Sequence, residues 1–130
     1  MQLTTNNGQF TMKENVLKMQ SFAFALRVVK LYQFLSQEKK EKVMSLQLLR
    51  SGTAIGAMVR EAEYAESKAD FIHKLNIALK EANETEYWME LLFKSEYLSE
   101  EAFNSLSMDI KELLKLLISI VKTSKGNGKK

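Results

Sequence analysis

The chain has 130 residues, a formal net charge of +3, 45% hydrophobic and 27% charged residues, and neither cysteine nor proline. That length and composition describe one soluble-type globular domain able to bury a core without staples, and the missing cysteines exclude disulfides, thiolate catalysis and cysteine-held zinc or iron–sulfur centres. Lys122, Lys125, Lys129 and Lys130 supply four of the positive charges, and without them acidic residues outnumber basic ones by one. A basic surface therefore depends largely on the C-terminal tail.

Four helical blocks follow in order. Residues 1–10, MQLTTNNGQF, show no basic n-region or apolar run and are expected to be a flexible N-terminus rather than a secretory signal. Thr11–Glu14 spells a capping box, so the first helix is predicted to begin there and to run to Leu35. Polar residues 36–42 form the first join. The second helix is expected from Val43 to Ala65. Ser67–Asp70 offers a looser cap for a third helix ending at Lys94. Ser99, followed by Glu100 and Glu101, suits the positive end of a fourth helix. Lys122 and Lys125 fall in its last turn, Gly126 is a stop signal, and residues 126–130 are expected to be a disordered basic tail. Similar helix lengths and short joins predict an all-α, antiparallel up-down-up-down four-helix bundle over residues 11–125. No apolar run is long enough for a membrane span, and a cytoplasmic location is the default expectation.

The helices carry more apolar residues than one bundle core requires. In the third, Phe71, Leu75, Ala78, Ala82, Thr85, Met89 and Leu92 recur at alternating spacings of four and three, which is a heptad seam. Ile77, Trp88 and Leu91 lie off that seam. The first helix has one stripe of Leu17, Phe24, Val28, Leu31 and Leu35, and a second, nearly opposite, of Met19, Phe22, Leu26 and Val29. The second helix pairs a core stripe (Met44, Leu48, Ile55, Met58, Val59, Ala62) with a weaker one of Leu46, Thr53, Ala57 and Tyr64. A helix in a monomeric bundle needs one buried face. Two faces predict burial against another chain, with Met19, Phe22, Leu26, Val29, Leu46, Ala57, Tyr64, Ile77 and Trp88 as candidate interface residues. Gly52 and Gly56 make a small-residue groove, either for tight packing inside the subunit or for a neighbouring subunit's helix.

Catalytic chemistry finds little support. A di-iron carboxylate bundle needs Glu-x-x-His motifs on two helices, and the single histidine, His73, cannot furnish both. Ser45, Ser51 and Ser67 have no evident histidine partner, and no Walker or Gly-x-Gly-x-x-Gly phosphate loop is present. No catalytic residue, metal or cofactor is expected, and the chain is read as a non-enzyme. Arg50 and Arg60 either pair with glutamates of the third helix or of a neighbouring subunit, or contact phosphate. Tyr87 and Trp88 either stack on bases or serve as core or interface aromatics. Candidate nucleic-acid contacts are Arg50, Arg60, Lys68, Lys74, Lys122 and Lys125. The alternative is a protein-interaction scaffold whose second stripes and tail dock a protein partner.

The segments QLLRSGTAIGAMVREA, SKADFIHKL and ALKEANETEYW together resemble the bacterial 23S rRNA intervening-sequence protein family, and the resemblance extends over residues 12–122. That family is similar to the accessory variability determinant of diversity-generating retroelements. The resemblance implies four antiparallel helices, a ring-shaped homopentamer and a connection to RNA or DNA. It supplies no catalytic residue.

Overall fold

The computed structural model describes residues 10–128 and consists of four helices, α1 (Met12–Gln37), α2 (Val43–Glu63), α3 (Lys68–Lys94) and α4 (Glu100–Gly128). Residues 1–9 and 129–130, which include most of the expected flexible N-terminus and the end of the expected tail, lie outside the described residues. α4 runs through Gly126, where the sequence signal would have ended it, and continues to Gly128.

Side chains define the helix starts. Thr11 caps α1: the Glu14 backbone N–H donates to Thr11 Oγ1 at 3.1 Å, and the Thr11 N–H donates to Glu14 Oε1 at 3.0 Å. Ser67 Oγ accepts from the Asp70 N–H and Ser99 Oγ from the Ala102 N–H, each satisfying an orphan donor of its helix. α2 is capped differently. Lys42 at the N-cap position makes no side-chain bond, and the Glu41 carboxylate instead accepts from the N–H groups of Val43, Met44 and Ser45 at 3.1, 3.0 and 2.8 Å. α3 ends in a Schellman motif, with the Tyr97 N–H on Leu92 O and the Glu96 N–H on Phe93 O. Glu96 occupies the left-handed position there, at φ 72°.

Each helix packs against its two neighbours in a closed ring, α1–α2–α3–α4, with the α1–α4 contact the sparsest. Cross-helix pairs show that neighbours are antiparallel: Lys18–Glu63 for α1 and α2, Lys74–Glu61 with Arg50–Glu84 for α2 and α3, Lys111–Glu86 for α3 and α4, and Arg27–Asp109 for α1 and α4. The heptad seam of α3 is the core-facing stripe, and all seven of its residues are buried. Phe24, Leu48, Ile55, Leu75, Met89, Leu113 and Leu117 fill the centre. Burying each Leu or Phe contributes roughly 1.5–3 kcal/mol. Leu31, Met44 and Met58, placed on core stripes by their spacing, are only partly buried and pack on the edge of this cluster.

The glycine pair of α2 serves the fold of the single chain. A Cβ on Gly52 would lie 2.9 Å from a Val28 methyl, and one on Gly56 would lie 3.3 Å from the Ser21 backbone oxygen. α1 therefore occupies the groove, which resolves the two readings of it in favour of packing inside the subunit.

Candidate functional site

The second apolar stripes face outward. On α1, Met19, Phe22 and Leu26 are 69%, 51% and 50% exposed, and Val29 is half-buried. On α2, Leu46 and Tyr64 are 49% and 78% exposed, and Ala57 is exposed. The Arg60 guanidinium sits 5.7 Å from the Phe22 ring centroid, so the two stripes adjoin and form one surface across the α1–α2 layer. Val43 and Met12, absent from the sequence-derived set, extend this surface at 76% and 85% exposure. Val43 was legible as the first member of the run 43, 46, 50, 53, 57, 60, 64, whose alternating spacings of three and four place it on the outward face of α2.

Ile77 and Trp88 stand apart from that surface. Both lie on α3 and are half-buried. Trp88 packs against the core of its own chain, and its Nε1–H donates to Glu84 Oε2 at 3.0 Å. The neighbouring Tyr87, 55% exposed, meets Trp88 edge-on at 5.0 Å.

The six candidate phosphate contacts divide into two groups. Arg50 spans Glu84 and Glu81, with the second contact at 3.5 Å. The Glu84 hydrogen bond holds the Arg50 guanidinium above its ordinary pKa, and the same bond, aided by Trp88, holds the Glu84 carboxyl below its own. Lys74 pairs with Glu61 at 3.3 Å. Arg60 lies over Phe22. Lys68, Lys122 and Lys125 are exposed and have no ion-pair partner among the described residues. Lys68 opens α3 and the other two close α4, which puts all three at the end of the bundle where α1 begins.

The remaining polar candidates have structural partners. Ser45 Oγ donates to Glu41 O at 2.6 Å, and Ser67 caps α3. Ser51 is buried, with its hydroxyl 3.0 Å from that of Thr85 across the α2–α3 contact. Burial pushes the Glu41 carboxyl up, but the hydrogen bonds from Met44, Ser45 and Val43 outweigh it and leave the group below the ordinary carboxylate range. His73 is exposed. Among the described residues no group of three or more His, Cys, Asp or Glu side chains is placed to hold a metal ion, and no helix is long and apolar enough to cross a membrane. A shallow open groove lies at the opposite end of the bundle, between the ends of α1 and α3 and the start of α4, lined by Leu31, Phe34, Phe93, Tyr97 and Leu98.

The family model described as 23S rRNA-intervening sequence protein matches residues 13–119. A crystal structure from Bacteroides thetaiotaomicron, of a protein of unknown function from the S23 ribosomal protein family, is 63% identical in sequence and superimposes with a TM-score of 0.85. The match covers 85% of this chain and 99% of that one. No curated protein matches the chain.

Proposed function

The chain belongs to the 23S rRNA-intervening sequence protein family, and from that premise we propose that it is a non-enzymatic helical bundle that assembles with copies of itself and engages RNA or DNA in the cytoplasm. The observation that carries the assembly is the outward α1–α2 surface. Phe22, Leu26, Leu46 and Tyr64 are each about half exposed or more, on helices whose other face already fills the core. Leaving such a surface in water forfeits roughly 25 cal/mol for each Å² of apolar area that a partner would cover. Closed cyclic assemblies are the common outcome for soluble chains that bury a recurring surface, and the proposed assembly is a ring-shaped homopentamer.

The nucleic-acid arm is supported by the family description and by the unpaired lysines at one bundle end. Phosphate contact depends on cations free of carboxylate partners. Arg50 and Lys74 are engaged with glutamates, so the protein-scaffold alternative retains support from those two positions.

A variant carrying Leu26→Glu and Leu46→Glu tests the assembly. Both side chains are about half exposed, so the single-chain fold should persist while the assembled species dissociates in size-exclusion chromatography. An unchanged elution volume with retained helicity would place the interface elsewhere.

A further inference from the structure

Charge is distributed unevenly along the α3–α4 layer. The half nearer the α3–α4 connection, residues 81–94 and 100–112, holds eight carboxylates against two lysines. The other half, residues 68–80 and 113–128, holds six lysines and one carboxylate, Asp70, which accepts from the Glu66 N–H at the start of α3. The acidic half is partly neutralised within the chain, because Arg50 reaches Glu81 and Glu84, Arg27 reaches Asp109 and Lys111 reaches Glu86. In the basic half only Lys74 has an ion-pair partner among the described residues, Glu61 on α2. Lys80, Lys115, Lys122 and Lys125 are exposed and unpaired among the described residues.

These lysines share one side of the molecule. Positions 111, 115, 118, 122 and 125 recur by four and three and lie on one stripe of α4. Each is exposed, and the stripe is lysine except at Ile118. The Lys111–Glu86 contact sets the antiparallel register of α3 against α4, so Lys80 falls alongside the same half of α4. By contrast, the equivalent half of the α1–α2 layer, residues 12–24 and 54–63, balances three cations with three carboxylates.

We propose that this lysine-rich face of α3 and α4 is a binding site for the phosphate backbone of a single-stranded nucleic acid, with Lys80, Lys115, Lys122 and Lys125 as its contacts. The proposal rests on the nucleic-acid arm of the function above: it keeps Lys122 and Lys125 from the sequence-derived set, adds Lys80 and Lys115, and leaves out Arg50, Arg60, Lys68 and Lys74. It lies on the layer opposite the α1–α2 surface. Lysine acts as a point charge and does not read bases, and the exposed aromatic of α3, Tyr87, belongs to the acidic half. Recognition is therefore by phosphate, with little dependence on base sequence. The acidic half bounds the site, and a strand lies across the basic half rather than along the full length of the helices.

Fluorescence anisotropy with labelled mixed-sequence single-stranded RNA and DNA, titrated with the full chain over a salt series, tests the assignment. With four phosphates neutralised, affinity should fall roughly 50-fold between about 50 and 200 mM salt. The variant Lys80→Gln, Lys115→Gln, Lys122→Gln, Lys125→Gln should lose both the binding and the salt slope while keeping its circular dichroism spectrum. Arg50→Gln should retain both. No binding by the wild-type chain at low salt would end the nucleic-acid reading itself. Wild-type binding that the four-lysine variant retains with the same slope would overturn this placement alone. Equal competition by a polyglutamate peptide at matched charge would overturn the nucleic acid as the ligand in favour of an acidic protein.

Discussion

Gly52→Ala tests the closest approach in the fold. The added methyl would lie 2.9 and 3.0 Å from the two γ-carbons of Val28 on α1. Val28 is 1% exposed, and a β-branched side chain in a helix holds one χ1 rotamer in about 90% of cases, so its methyls cannot swing aside. Overpacking a well-packed site costs about 1–3 kcal/mol. Replacing a helical glycine by alanine returns about 1 kcal/mol through helix propensity. The net expectation is a loss of about 1 kcal/mol. Gly56→Ala differs, because its methyl would meet the Ser21 backbone oxygen at 3.3 Å, and its net effect should lie near zero. In a Val28→Ala background the obstructing methyls are gone, and Gly52→Ala should change sign and stabilise. Urea unfolding followed by circular dichroism on the four proteins of this cycle, at one fixed protomer concentration, measures the coupling. If Gly52→Ala stabilises the wild-type chain, and does so equally in the Val28→Ala background, the close approach of α1 to α2 is refuted.

Three further substitutions probe the caps and the arginine cluster. Glu41→Gln should destabilise by about 1 kcal/mol at neutral pH, the scale of a helix cap. Because the Glu41 carboxyl is lowered in the folded chain, its contribution is present above the unfolded value of about 4.3 and fades as pH falls through the folded one. The gap between wild type and Glu41→Gln in pH-dependent denaturation should therefore close in acid. Glu96→Gly should raise stability by about 0.5–1 kcal/mol in thermal unfolding, since it removes a side chain from the left-handed position of the Schellman motif. Arg50→Gln should cost less than about 1 kcal/mol, and the difference should shrink in high salt, because the Arg50 side chain is half exposed and its ion pairs are screened.

What was legible in the sequence was local. The seam of α3 from Phe71 to Leu92 is written in spacings of three and four, and all seven side chains are buried. The capping box at Thr11 and the cap at Ser67 lie within four residues of the bonds they make. The antiparallel bundle followed from similar helix lengths and short joins, but which residues meet across helices was not legible. The Gly52–Gly56 pair announced a close approach but not which helix makes it, since any neighbour satisfies the same spacing. Glu41 was read as part of a polar join. It became a cap because the backbone turns at Lys40, at φ 59°, and brings its carboxylate over the first turn of α2. The outward stripe of α1 was visible as surplus hydrophobicity, and its adjacency to that of α2 emerged only from the ring order of the helices. The candidate cations were chosen one residue at a time. The charge separation of the α3–α4 layer needed the antiparallel register that sets residues 68–80 beside 113–128.

On the proposed reading, the outward α1–α2 surface is covered by further copies of the chain. Multi-angle light scattering at micromolar concentration measures this most directly, against a subunit mass of 14.9 kDa. The expected result is a single species whose mass is a whole multiple of the subunit, five copies for the proposed ring. A species of one subunit mass across the concentration range would contradict it.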